Sequence, residues 1–244
     1  MDLTDNRIPF IDSAKMADLD RIIIDCYQIE LIQMMENAGR NLAECARNRF
    51  MKGNARGNRV VVLAGTGNNG GGSLVCGRHL YNWGSEVTVV ITKSRPSFKT
   101  VAAHQLDILE RMGVSIKLPD ALNSLDNFDL IVDGIIGYGL SDTPKGSAAR
   151  LIRWANIQKV PILSLDVPSG VDATTGTVFS PSLRATATMT LALPKEGFLD
   201  PRAIGHIGEL YLADISVPLG LYRQMGLDES RDSLFAEKTV IRIF

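Results

Sequence analysis

Asp133 and Asp166 stand where a carboxylate can meet a ligand. Asp133 closes the apolar run Asp129-Leu130-Ile131-Val132 and opens onto Gly134-Ile135-Ile136-Gly137-Tyr138-Gly139-Leu140-Ser141. Asp166 closes Ser164-Leu165 and is followed by Val167-Pro168-Ser169-Gly170. A third stretch, Gly65-Thr66-Gly67-Asn68-Asn69-Gly70-Gly71-Gly72-Ser73, follows Val60-Val61-Val62-Leu63-Ala64. Glycines there let a backbone approach an anion, and the first N–H groups of a following helix point at it. Gly65 to Gly70 fits G-x-G-x-x-G, which by itself also fits a bare turn. Asn, Ser and Asp oxygens are hard ligands, suited to an alkali or alkaline-earth cation rather than zinc. His79, His104 and His206 lie far apart and show no metal-ligand spacing.

Positioning these groups requires a sheet. Val/Ile/Leu runs with little alternation predict strands over 59–64, 86–92, 114–117, 129–133, 160–166, 185–192 and 209–213. Helices are predicted near 72–83, 100–112 and 146–157. The expected fold class is α/β, a three-layer α/β/α sandwich with a Rossmann-like, mostly parallel sheet. In such a sheet ligands bind at the carboxyl ends of the strands, which gathers the glycine loop, Asp133 and Asp166 into one place. Asp166, ending a buried strand, is the candidate acid/base, since burial raises a carboxyl pKa. The spacing after residue 170 is short for helical crossovers, so an antiparallel edge is expected among the late strands.

The chain of 244 residues divides as one domain. Residues 1–52 form a helical N-terminal extension, 53–218 the α/β core and 219–244 a tail. In the extension, Asp12-Ser13 caps a helix with Met16, Leu19, Ile22 and Ile23 on its apolar stripe. A second helix runs from about Ile29 to Phe50, burying Leu31, Met34, Met35, Ala38, Leu42 and Cys45. In the tail, 220–229 reads as a loop and 239–244 as a last strand.

Composition narrows the function classes. Lys plus Arg is 26 and Asp plus Glu is 27, which gives nucleic acid or a charged membrane no basis for attraction. No run of about 18 apolar residues is present to span a membrane, and the N-terminus lacks a signal-peptide pattern. Cys26, Cys45 and Cys76 make neither a disulfide framework nor a zinc pair. Buried, reduced and inert thiols are expected, in keeping with a cytoplasmic location. No G-x-S-x-G elbow marks a hydrolase, and no Lys follows the glycine loop in P-loop register. An ordinary NAD dehydrogenase wants an acid after the second strand, where Thr92-Lys93-Ser94-Arg95 stands.

Five stretches together resemble a known family. They are Met35-Glu36-Asn37-Ala38-Gly39-Arg40, Gly67-Asn68-Asn69-Gly70-Gly71, Arg78-His79-Leu80, Asp133-Gly134-Ile135-Ile136-Gly137-Tyr138-Gly139-Leu140 and Asp166-Val167-Pro168-Ser169-Gly170. In kind and order they are similar to the NAD(P)H-hydrate epimerases, the YjeF N-terminal domain, from about residue 12 to about residue 218. The resemblance implies an isomerase that converts the R form of hydrated NAD(P)H, NADHX or NADPHX, to the S form. A separate ATP- or ADP-dependent dehydratase then restores the nucleotide. This chain ends too early to hold that dehydratase and resembles the stand-alone type. Also implied are a bound potassium ion with Asn69, Asp133 and Ser169 as ligands, and a homodimer formed through the N-terminal helices. The substrate loops would be Asn68, Asn69, Gly70, Gly71 and Gly72, and Gly137, Tyr138, Gly139, Leu140, Ser141, Asp142 and Thr143, with Asp166 beside them.

One departure bears on activity. The family usually reads N-N-G-G-D-G where this chain has Asn68-Asn69-Gly70-Gly71-Gly72-Ser73, so a carboxylate is missing at Gly72. The competing expectation is therefore a catalytically degenerate nucleotide-binding or dimerisation module on the same fold. Lys145 keeps a cation near the place where the family often has Arg.

Overall fold

Val60, Val62 and Ala64 pack into one apolar cluster, while Val61 and Leu63 pack into another. All five lie on strand β1 (Arg59–Ala64), so a run that is apolar at every position is covered on both faces. The structure is a computed structural model that describes residues 8–224 and 234–244.

β1 belongs to an eight-stranded sheet. The other strands are β2 (Glu86–Ile91), β3 (Ser115–Lys117), β4 (Leu130–Gly134), β5 (Ile162–Leu165), β6 (Ala187–Leu191), β7 (Glu209–Ala213) and β8 (Val240–Arg242). Their order is β3-β2-β1-β4-β5-β6-β7-β8. Every pairing is parallel except β7 with β8. The antiparallel edge expected among the late strands is β8, within the predicted 239–244. β5 and β6 stay parallel although no regular helix joins them. The chain leaves β1 toward β2 and β3, then returns to place β4 on the other side of β1. That reversal opens a crevice at the carboxyl ends of β1 and β4.

Helices α2 (Leu31–Phe50), α3 (Asn68–Asn82) and α4 (Thr100–Arg111) cover one face of the sheet through Leu42, Leu74 and Leu106. Helix α5 (Gly146–Asn156) covers the other through Leu151 and Ile152. Helix α1 (Ser13–Asp25) packs on α2 at the edge of the crevice through Met16, Leu19 and Ile23. Asp12 caps it as expected, its side chain accepting from the Lys15 N–H at 2.7 Å. Helix α6 (Pro201–Ile207) packs beneath β7.

Three expectations are corrected. The stretch 68–72, read as a loop, is the first turn and a half of α3. The reason is the fit between α2 and α3. A Cβ on Gly39 would sit 2.3 Å from Val75 Cβ, and one on Gly71 would sit 2.5 Å from Met35 Sδ. These glycines let two helices touch backbone to side chain, so they serve packing rather than a flexible loop. The expected loop at 220–229 begins inside helix α7 (Leu219–Gln224), and its remainder lies outside the described residues. Cys45 and Cys76 are buried as expected, and burial pushes the Cys45 thiol up to about 12. Cys26, however, is exposed at the end of α1.

Candidate active site

The crevice holds a cavity of about 730 Å³. Its walls come from α1, α2, the start of α3, the segments after β2 and β4, the start of α5 and the ends of β5 and β6. The start of α3 contributes Asn68, Asn69 and Gly72, and the segment after β4 contributes Gly137, Tyr138 and Gly139. Asp166 lies at the end of β5 on the same wall.

Asp166 takes a left-handed backbone conformation, φ 66°, directly after β5. Aspartate tolerates that region better than most residues, and such a kink aims a side chain out of line with its strand. Its own N–H donates to Met189 O at 2.7 Å, which ties the kink to the neighbouring strand. Asp166 is only 3% exposed. Its Oδ2 accepts the Tyr138 backbone N–H at 3.0 Å.

Its Oδ1 lies 2.9 Å from Lys195 Nζ, an ion pair between two buried side chains. Lys195 gives its N–H groups to Thr190 Oγ1, Leu191 O and Leu193 O at 3.1, 3.0 and 2.9 Å. Asp166 Oδ1 is thus held by charge and lacks a directed donor among the described residues. Sequence reasoning missed Lys195. It collected polar residues at the ends of strands one, four and five. The same rule applied to the sixth strand would have reached Pro194-Lys195.

Asp133 sits one layer below, fully buried. Its Oδ1 accepts from the Ser169 hydroxyl at 2.6 Å and the Ile135 N–H at 3.1 Å. Its Oδ2 accepts from the Ser164 hydroxyl at 2.9 Å and the Ser169 N–H at 3.0 Å. Burial holds its carboxyl above the usual carboxylate range, and the Ser169, Ile135 and Ser164 donors oppose that rise. Ser169 Oγ in turn accepts the Ile136 N–H at 2.9 Å. Asp133 and Ser169, two of the three residues expected to bind the ion, are in direct contact through these hydrogen bonds. Asn69 comes from the other side, its amide about 3 Å from the place where a Cβ on Gly137 would stand. Its Nδ2 is buried with no partner among the described residues.

The expected substrate loops are brought together in part. Gly70 and Gly71 are buried in α3 and do not line the cavity. Leu140, Ser141, Asp142 and Thr143 also lie off its wall. The exposed Asp142 is instead engaged with Lys145, which does line the cavity. This segment turns outward because it must cross from β4 to the start of α5. A second carboxylate that sequence reasoning missed, Asp20 on α1, faces the cavity and accepts the Tyr138 hydroxyl at 2.7 Å.

A parallel sheet with a nucleotide-sized crevice at its switch point, lined by carboxylates, defines an α/β nucleotide-handling protein. The sequence matches the family described as YjeF-related protein N-terminus over residues 31–197. It is 42% identical to an NAD(P)H-hydrate epimerase of Dehalogenimonas lykanthroporepellens, over 91% of this chain and 87% of that one. It is 35% identical to a bifunctional NAD(P)H-hydrate repair enzyme of Moorella thermoacetica, covering 85% of this chain and 40% of that one. The crystal structure of yeast ynu0 superposes with a TM-score of 0.76 at 26% identity, covering 96% of this chain and 100% of that one. The chain belongs to the NAD(P)H-hydrate epimerase family, the YjeF N-terminal domains.

Proposed function

We propose that this protein epimerises R-NAD(P)HX to S-NAD(P)HX in nicotinamide nucleotide repair, with Asp166 as a proton-transfer group. The observation that carries the residue assignment is Asp166 on the wall of a cavity large enough for a nucleotide, paired from behind with the fully buried Lys195. Inverting the hydrated carbon requires its C–O bond or the ring to open and re-form on the other face. A proton must be delivered and removed, which a positioned carboxylate can do. Gly72 leaves no carboxylate at the start of α3, but the cavity keeps two others, Asp166 and Asp20.

The donor set below the cavity fits potassium. Asp133, Ser169 and Asn69 offer only oxygen ligands of the hard type. The orphaned amide nitrogen of Asn69 supports the fit. Turning that amide puts an oxygen where the buried nitrogen lacks a partner, and a cation satisfies it. Bound there, the ion would balance the Asp133 carboxylate and order the segment after β4, while Asp166 handles the proton.

Three further parts of the reading rest on the family. The product passes to an ATP- or ADP-dependent dehydratase, which the fused relatives named as bifunctional repair enzymes support. The protein is a homodimer formed through its N-terminal helices. It works in the cytoplasm, in keeping with its buried, unpaired Cys45 and Cys76. Among the described residues no helix is long and apolar enough to cross a membrane.

The test is to incubate the protein with purified R-NAD(P)HX and follow the approach to the epimer equilibrium by chromatography, beside Gly72→Asp. Native acceleration well above the spontaneous rate supports the reading. Acceleration by the variant alone would show that this chain has lost a needed carboxylate. A Cβ at position 72 meets only Leu165 Cδ2, at 2.7 Å, the end of a flexible side chain, so the variant should fold.

A further inference from the structure

Tyr138 joins two carboxylates of the cavity. Its backbone N–H donates to Asp166 Oδ2 at 3.0 Å, and its hydroxyl donates to Asp20 Oδ2 at 2.7 Å. Its carbonyl accepts the Ser13 hydroxyl at 3.2 Å, so α1 is fastened to the segment after β4 at two points. The two carboxylates meet different surroundings. Asp166 has the Lys195 ammonium beside it. Asp20 has a neutral phenol and an apolar setting that includes Met16, Leu31 and Met34 in the same cavity wall.

We propose that Asp20 is a second catalytic residue of this cavity, the acid that delivers a proton to the leaving hydroxyl of the hydrated nicotinamide, with Asp166 as the receiving base. The proposal rests on the epimerase reading given above and deepens it. Its ground is the pairing of two carboxyl groups whose environments set them apart, the arrangement by which one site runs acid and base chemistry together. Burial holds the Asp20 carboxyl above the usual carboxylate range. The Asp166 charge adds to the rise, while the Tyr138 hydrogen bond and Lys195 oppose it. Those three residues act on the Asp20 charge, and the other titratable groups of the same cavity wall are Lys93, Lys99 and Lys145. On its own helix, the neighbouring charges Asp18 and Arg21 pair with each other at 3.4 Å on the exposed side.

The proton count closes. Asp20 gives its proton to the hydroxyl on the carbon beside the ring nitrogen. The C–O bond breaks, its electron pair leaves with water, and the nitrogen lone pair forms a C=N bond. Water then adds to the other face, the C=N electrons return to nitrogen, and the surplus proton passes to the Asp166 carboxylate. Solvent restores the starting protonation between turnovers. No oxidant or reductant is needed.

The competing role for Asp20 is that of an anchor for Tyr138, and Asp20→Asn separates the two. An amide oxygen still accepts the Tyr138 hydroxyl, but the amide is not a proton donor to a leaving group. The full-length protein, Asp20→Asn and Asp20→Ala are assayed on R-NAD(P)HX across pH, with binding of S-NAD(P)HX followed by calorimetry. We expect Asp20→Asn to lower kcat by about 100-fold or more, the usual span for loss of an acid catalyst, with binding within about threefold of the native protein. We also expect the native rate to fall as pH rises through the Asp20 pKa, and the variant to lack that limb. Asp20→Asn turning over like the native protein while Asp20→Ala fails would make Asp20 an anchor and overturn the proposal. A native protein that binds the nucleotide without turnover would overturn the epimerase reading and this proposal with it. Native turnover with an unaffected Asp20→Asn would overturn this proposal alone.

Discussion

Lys195 Nζ and Asp166 Oδ1 lie 2.9 Å apart, and both side chains are shut away from water. A buried pair of this kind contributes little net stability when whole, but removing one partner strands a charge. Lys195→Met should therefore destabilise the protein by about 3–5 kcal/mol. The double variant with Asp166→Asn should recover part of that loss. Urea unfolding of the two single variants and the double variant checks this. Equal stability of Lys195→Met and the native protein would show that the pair carries no coupling.

Ser169 occupies a junction in the proposed potassium site. Ser169→Ala removes the donor to Asp133 Oδ1 and the acceptor for the Ile136 N–H. Leaving such groups unpaired costs about 1–3 kcal/mol. A ligand that binds only the folded state raises the unfolding temperature with its concentration. The native protein should then melt higher in potassium chloride than in choline chloride, and Ser169→Ala should show no such difference. Identical melting of the native protein in both salts would count against the ion.

The contact of α2 with α3 should be intolerant of a single methyl group. Gly39→Ala would place its Cβ 2.3 Å from Val75 Cβ and 2.6 Å from Gly72 O. Relieving both requires the helices to separate. Overpacking of this kind costs about 1–3 kcal/mol, measurable as a lower denaturant midpoint. Because α3 begins at Asn68 and Asn69, the same change should also weaken nucleotide binding in calorimetry.

Glu209 gives a pH prediction away from the site. Arg49 Nη2 donates to its Oε1 at 2.6 Å and Arg49 Nε to its Oε2 at 2.8 Å, joining α2 to β7. Hydrogen bonding from Arg49 pulls the Glu209 pKa from 4.5 down to about 2. A carboxyl lowered in the folded state stabilises at pH above its unfolded value. That contribution disappears as pH falls from 4.5 toward about 2. The pair is partly exposed, so about 1 kcal/mol is expected. Glu209→Gln should lose that amount at neutral pH and unfold with a shallower pH dependence across this window, as read by thermal melts. A variant with the native slope would show the pair to be inert.

The legible parts of this protein were those fixed by local pattern. Continuous apolar runs such as Val60-Val61-Val62-Leu63 need cover on both faces, which dictates a sheet between helices whatever else the chain does. The ends of those runs then place Asp133, Asp166 and Ser169 at one edge, since parallel strands all point their carboxyl ends the same way. That edge is where the structure puts the cavity.

The composition of the cavity wall required the tertiary fold. Tyr138 and Asp20 are 118 positions apart, and only the docking of α1 against the sheet brings them together. Lys195 reads in sequence as an ordinary charge beside a proline, and becomes the partner of Asp166 because β5 and β6 are neighbours. The glycines from 70 to 72 looked like a loop because glycine disfavours helices locally. Close packing outweighs that preference, for Gly70 meets the Gly65 backbone, Gly71 meets Met35 of α2 and Gly72 meets Leu165 of β5, each within 2.7 Å of where a Cβ would stand. Local propensity thus determined the strands and their ends, while contacts between distant segments decided which charges meet and which backbone is helical.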